Sequence, residues 1–181
     1  MRKRVAFQGE HGAFSELAVQ QHFRDADPLP CRELADAVDM LLKSIADYAV
    51  LPLENSSAGP VPGMADVLND PRLALVSELW LPIHQCLLAV DGAELTTIQS
   101  VLSHPVALAQ CTRFFQRQPH LTPISWYDTA GAARHVAHSG DAALAAIASR
   151  AAAERYGLTI LLPDIEDQPD NRTRFAVFTR A

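Results

Sequence analysis

The 181-residue chain is 49% hydrophobic and 20% charged with a formal net charge of −6, an ordinary globular composition long enough for one large domain or two small lobes. The acidic balance argues against nucleic acid as the partner, since the only basic cluster is Arg2-Lys3-Arg4 at the terminus. Val5-Ala6-Phe7 is too short for a signal-peptide apolar region, and no run approaches the roughly 18 apolar residues of a membrane span. Cys31, Cys86 and Cys111 are odd in number, far apart and without a C-x-x-C, which suits buried thiols in a reducing compartment. The expectation is a cytoplasmic protein with no membrane partner.

In chain order, the pattern predicts a strand over 4–7, helices over 13–23 and 34–44, a strand over 48–52, a Pro/Gly-rich loop over 56–63 and a short helix over 64–68. Strands over 73–79, 85–90 and 100–103 follow, then a helix over 105–117, a strand over 122–125, helices over 128–138 and 142–156, and strands over 159–162 and 174–179. Alternation of the two periods is the α/β signature. Ser15 is a candidate cap, Ser103 precedes His104-Pro105 with proline in a first turn, Asp128-Thr129 opens a helix, and Gly157 suits a helix end. Two extended runs, 73–82 and 161–169, carry the chain from one lobe to another and bring the last strand back beside the first ones. The predicted fold is α/β: two α/β lobes with a cleft between them, lobe 1 about 1–76 plus 163–181 and lobe 2 about 77–162.

Four polar clusters carry candidate chemistry. Gly9-Glu10-His11-Gly12-Ala13-Phe14-Ser15-Glu16 follows the first strand, where glycines and a helix start present N–H groups to an anion or simply make a tight turn. Leu53-Glu54-Asn55-Ser56-Ser57-Ala58-Gly59 ends a hydrophobic strand on the side where such sheets bind ligands, although a plain turn uses similar residues. Ser103-His104-Pro105 opens a helix, with His104 either a general acid or a structural group, and Gln110 further along. Asn171-Arg172-Thr173-Arg174-Phe175 gathers a carboxamide, two guanidiniums, a hydroxyl and a ring. Regular strand alternation puts Arg172 and Arg174 on one face and Thr173 on the other, so one ligand reaches both Thr173 and Arg174 only if the chain bends or the ligand sits at the strand's end. Arg174 is then a carboxylate clamp, or else part of a salt-bridged strand start. His135 and His138 share a helix face without a third ligand, and no metal site is expected.

Taken in order, G-A-F-S-E, L-P-L-E-N-S-S-A-G, S-H-P-V-A-L-A-Q-C, D-T-A-G-A-A, A-A-I-A with Y-G-L, and I-E-D followed by N-R-T-R-F resemble the catalytic domain of prephenate dehydratase over nearly the whole chain. The resemblance implies a fold like the type 2 periplasmic binding proteins, prephenate as the small-molecule partner, a homodimer, and a reaction without redox or electron-sink cofactor or metal. It puts the catalytic groups on Thr173, Asn55, Ser103 and Gln110. Arg174 and Phe175 complete the T-R-F triplet as substrate-binding groups, with Ser15, Ser56, Ser57 and His104 beside them. The first loop departs from the family, with Glu10 for the usual proline and Ala13 for the usual threonine. Relatives continue past the triplet into a phenylalanine-sensing ACT domain, whereas here six residues, Ala176 to Ala181, follow it. The expectation is a catalytic domain without ACT and without in-cis feedback. Arogenate as substrate, and a non-catalytic anion-binding module of the same fold, stay open as alternatives.

Overall fold

Val5, Ala6 and Phe7 are all fully buried, so the first strand, β1 (Lys3–Gln8), is an apolar run covered on both faces. The computed structural model describes residues 2–181. After β1 come α1 (Phe14–His22), β2 (Ala26–Cys31), α2 (Leu34–Leu42), β3 (Tyr48–Asn55), β4 (Gly59–Pro60), α3 (Met64–Leu68) and β5 (Leu73–Pro82). Next are β6 (Cys86–Ala89), β7 (Ser100–Ser103), α4 (Pro105–Ala109), α5 (Thr112–Arg117), β8 (Thr122–Ser125) and α6 (Thr129–Ser139). The chain finishes with β9 (Leu144–Ala148), α7 (Arg150–Tyr156), β10 (Thr159–Leu162) and β11 (Arg172–Arg180).

The contacts divide the chain into two compact units, Met1–Glu10 with Phe14–Pro82 and Arg172–Ala181, and His11–Ala13 with Ile83–Asn171. In the first unit the sheet order is β2-β1-β3-β11-β5, with β4 paired to β3. β1 is parallel to β2 and β3, and β11 is antiparallel to β3 and β5. The last strand thus lies beside early ones, as the two crossings required. Its core gathers Ala6, Leu41, Leu51, Met64 and Phe178. In the second unit the order is β10-β6-β9-β7-β8, over a core that includes Leu87, Ile98, Val101, Phe114 and Ile147. No helix among the described residues is long and apolar enough to cross a membrane.

The changeovers at Pro82 and Asn171 fall later than the expected 76 and 162. β5 stays with the first sheet because it pairs with β11 as far as Pro82, opposite Arg172. Residues near 165–171 stay with the second unit through Ile165 N to Gln85 O (2.9 Å), Asp167 N to Gln110 O (2.6 Å) and Ile83 N to Asn171 O (2.8 Å).

Other expectations are corrected. β2 was not anticipated, because it carries Pro28 and Pro30. It is an edge strand, and Lys3 N to Asp25 O and Gly9 N to Cys31 O turn its odd-numbered positions toward β1, so both prolines face the free edge. The expected helix 142–156 is strand β9 followed by α7, which Ser149 caps by accepting from Ala152 N at 3.0 Å. The expected helix 105–117 breaks in two, because the Asp167 carboxylate receives Thr112 N and Arg113 N at 3.0 and 2.9 Å and starts α5 afresh. Ser15 is inside the first turn of α1 rather than its cap. Asp128 and Gly157 cap as expected, Asp128 Oδ2 accepting from Gly131 N and Gly157 taking φ 67°.

Candidate active site

The first unit brings Asn55 and Thr173 together. They are a register pair across β3 and β11, and Asn55 Nδ2 donates to Thr173 Oγ1 at 3.0 Å. The amide cannot be turned over without loss, because Asn55 Oδ1 already accepts Ser57 N and Ala58 N, both at 2.9 Å. Nδ2 also reaches Arg172 O at 3.2 Å. Of the two serines of the same turn, Ser56 Oγ accepts from the backbone N–H of Arg172 at 3.0 Å, and Ser57 gives its own backbone N–H to the Asn55 side chain. Thr173 is 9% exposed, and no acceptor for its hydroxyl proton lies among the described residues. An amide donor on Oγ1 leaves that proton to be given elsewhere.

A β-bulge shapes this end of the strand. Arg174 faces Glu54 but Phe175 faces Pro52, so Leu53 is the extra residue. Bulge notwithstanding, Arg174 does not join Thr173. It shares its face with Trp80 and Glu54, its NH1 donates to Glu78 Oε2 at 3.0 Å, and its Nε lies 3.2 Å from Glu54 Oε1, near enough for an ion pair but out of line for a hydrogen bond. Arg172 stacks over the same Trp80 ring at 4.8 Å. Of the two roles the sequence left open for Arg174, the structure displays the salt-bridged strand start, between two glutamates. The Phe175 ring, expected beside the substrate, is 2% exposed and belongs to the core. Ser15 is buried in α1.

In the second unit Ser103 is fully buried and Oγ donates to Ile147 O at 2.6 Å, so its proton is committed to the β7–β9 region. His104 is the cap of α4, its Nδ1 accepting from Val106 N at 3.2 Å, which is the structural role its position offered. Gln110 ends α4 and belongs to a carboxamide cluster: its Oε1 accepts from Gln85 Nε2 and Asn171 Nδ2, each at 3.2 Å. The strip His11–Ala13 is held here too, with Gly12 O accepting from Ser149 Oγ and His11 O from Tyr156 OH, both at 2.6 Å. Gly12 has φ +89°, and a Cβ on it would come within 2.9 Å of Ala152 Cα, so only glycine fits.

His84, Asp164 and Glu166 are the residues best placed to hold a metal, with ligand atoms within 4.8 Å of one another. Their polar atoms already have partners: Glu166 Oε1 lies 2.8 Å from His84 Nδ1, and Arg150 donates to both Asp164 oxygens at 3.0 and 3.1 Å. His135 instead stacks on Trp126 at 4.6 Å, and His138 Nδ1 lies 2.8 Å from Arg134 O. The three cysteines are free and buried, and burial pushes the Cys31 thiol up to about 11 and those of Cys86 and Cys111 upward as well.

Residues 5–181 match the family described as prephenate dehydratase. The chain belongs to that family. It is 40% identical to arogenate dehydratase 2 of Petunia hybrida over 99% of its own length and 45% of the relative's, and so spans about half the length of the curated relatives it matches. A prephenate dehydratase structure from Arthrobacter aurescens, solved in complex with L-Phe, superposes with a TM-score of 0.90 at 30% identity, covering 98% of this chain and 60% of that one. A structure described as GqqA, a novel type of quorum quenching acylase, superposes with a TM-score of 0.89 at 37% identity, covering 99% of this chain and 64% of that one. A periplasmic substrate-binding protein from Coxiella burnetii, at 13% identity and a TM-score of 0.50 over 99% of this chain and 84% of that one, shares the fold alone. Within the family motifs, E-N-S and T-R-F point directly to the Asn55–Thr173 pair. The Gln85–Gln110–Asn171 cluster and the glutamates around Arg174 were missed; Glu78 and Trp80, alternating along an edge strand, were the only signal for the latter.

Proposed function

We propose that the chain catalyses the decarboxylating dehydration of prephenate to phenylpyruvate, a lyase step of phenylalanine formation. The observation that carries this reading is the 3.0 Å hydrogen bond from Asn55 Nδ2 to Thr173 Oγ1. Prephenate bears a ring carboxylate and a C4 hydroxyl. As the carboxylate leaves as CO2, its bonding pair enters the ring and the C4–O bond breaks, so the ring becomes aromatic and the oxygen departs as hydroxide that takes up a proton. The electrons need no sink beyond the leaving group. What the protein supplies is help for the departing oxygen, and a threonine whose Oγ1 already accepts an amide N–H is oriented to donate. Its hydroxyl is a weak acid, so it donates a hydrogen bond rather than handing over the proton outright; assistance of this kind is worth about 10²–10⁴-fold in rate.

Arogenate, the amino-acid counterpart of prephenate, is the second reading, favoured by the name of the Petunia relative. Acyl transfer, suggested by the neighbour described as an acylase, fits less well. An attacking hydroxyl needs a base to take its proton, whereas Thr173 meets an amide donor, Ser103 Oγ donates to a carbonyl and His104 Nδ1 is used as a helix cap. A homodimer, implied by the family resemblance, and a cytoplasmic setting, read from the three scattered cysteines, belong to the same proposal. Incubation with prephenate and, separately, with arogenate decides it: phenylpyruvate from the first is the expected product, faster phenylalanine from the second moves the assignment to arogenate, and turnover of neither overturns the dehydratase reading.

A further inference from the structure

Gln85 is 2% exposed and stands at the foot of β6. Its Nε2 donates to Gln110 Oε1, and Asn171, also 2% exposed, donates Nδ2 to the same oxygen. The backbones beneath are tied down: Gln85 N reaches Glu166 Oε2 at 2.8 Å, Gln85 O receives Ile165 N at 2.9 Å, and Gln110 O receives Asp167 N at 2.6 Å. Gln85 Oε1 meanwhile has no hydrogen-bond partner among the described residues. A buried carboxamide with an unsatisfied carbonyl is something stability alone disfavours, and a leucine or methionine would fill the space without that penalty.

We infer that Gln85 and Asn171 are positioning residues that set the polarity of the Gln110 carboxamide, pinning its oxygen so that its NH2 serves an oxygen of the substrate. The inference rests on the dehydratase reading above. Prephenate and arogenate both present carboxylate oxygens, which are acceptors only, so Gln110 is useful to them through its NH2 and repulsive through its carbonyl. Two donors converging on Oε1 fix which end of the amide accepts, and so which end donates.

A double-mutant cycle tests this on the whole chain, with kcat and KM for prephenate, or for arogenate if that is the substrate turned over, measured on the wild type, Gln85→Met, Gln110→Leu and the double variant. If Gln85 acts through Gln110, Gln85→Met lowers kcat/KM roughly tenfold on its own, and adds nothing in the Gln110→Leu background. Gln85→Glu, which offers acceptors where donors are needed, is expected to lower it roughly 100-fold by turning the Gln110 amide around. The inference is overturned if Gln85→Met lowers activity by the same factor in both backgrounds, which marks a merely structural role. Wild-type kinetics in a folded Gln85→Met, or a Gln85→Glu no worse than Gln85→Met, overturns it equally. Should Gln85→Met fail to fold, Asn171→Leu takes its place in the cycle with the same expectations. A wild type that turns over neither substrate removes the reading beneath it and the inference with it.

Discussion

The two ends of the first unit's sheet are built from the same strands and held by different forces. At one end, where β3 finishes and β11 begins, neutral groups meet: the Asn55 carboxamide, the Thr173 hydroxyl and Ser56 with the Arg172 backbone, at 2.9 to 3.2 Å. At the other, where β1 and β3 begin and β11 ends, charges do the fastening. Arg4 NH2 holds Asp47 Oδ1 at 2.8 Å, and Arg180 NH1 donates to Leu41 O and Ala46 O at 2.7 and 3.1 Å. The neutral end lies at the carboxyl ends of the parallel strands β1 and β3, the ligand side of an α/β sheet. The difference teaches that the polar groups beside Thr173 are short and uncharged so that they orient one another, with Arg174, Glu54 and Glu78 kept to the opposite face, while the far end needs only to close the sheet.

The sharpest way to break this contrast is Thr173→Ala. Turnover of prephenate should fall about 10²–10⁴-fold, because the donor to the departing oxygen is gone. Stability should change by only about 1 kcal/mol, the worth of one hydrogen bond, read as a denaturant midpoint. Thr173→Ser, which keeps the hydroxyl, should retain most activity. Near-wild-type kcat in a folded Thr173→Ala variant would remove Thr173 from the mechanism.

Asn55→Asp comes next. An aspartate still accepts Ser57 N and Ala58 N, so the turn survives, but the Thr173 hydroxyl now donates to a carboxylate instead of receiving an amide. A loss of roughly 10–100-fold in kcat with little change in midpoint is expected. Unchanged kcat would mean that the direction of the Asn55–Thr173 bond is irrelevant to catalysis.

Arg174→Gln probes the charged face that the T-R-F triplet turns away from Thr173. Since Glu54 and Glu78 already neutralise the guanidinium, KM should move by less than about threefold, and stability by about 1 kcal/mol or less for so exposed a network. A KM raised roughly 100-fold with kcat intact would instead make Arg174 a substrate clamp.

How much of this was legible in the sequence follows the same divide between local and long-range causes. The alternation of strand and helix, the return of the last strand and the caps at Asp128 and Gly157 are local, and they were readable. Motif order pointed to Asn55 and Thr173 before any geometry did. The face taken by Arg174 was half readable: alternation separated it from Thr173, but its partners come from β5 and from the bulge at Leu53, which no local pattern announces. β9 was hidden because Leu144-Ala145-Ala146-Ile147-Ala148 reads as helix by propensity, and a central position between β6 and β7 overrides propensity. β2 was hidden by prolines that only an edge tolerates. Gln85 carried no signal at all, since a glutamine beside a buried strand gains meaning only from the two carboxamides that other segments bring to it.

The charged end gives the smallest effect, and one that should leave catalysis alone. Arg4, by side-chain and then backbone hydrogen bonding, holds the Asp47 carboxyl well below its ordinary 3.8, at about 2. A depressed folded-state pKa means that the unfolded chain takes up the proton first, so the contribution is fully present above about pH 4 and is lost as pH falls toward 2. Both side chains are substantially exposed, 45% for Arg4 and 34% for Asp47, so solvent screening leaves only a modest fraction of the effect. Asp47→Asn should therefore flatten the acid limb of a midpoint-versus-pH curve between about pH 4 and 2 while kcat and KM near neutrality stay at wild-type values. An acid limb of unchanged steepness would mean that the ion pair does not fasten this end. A fall in kcat would mean that the two ends of the sheet are coupled, and the division of labour between them would have to be given up.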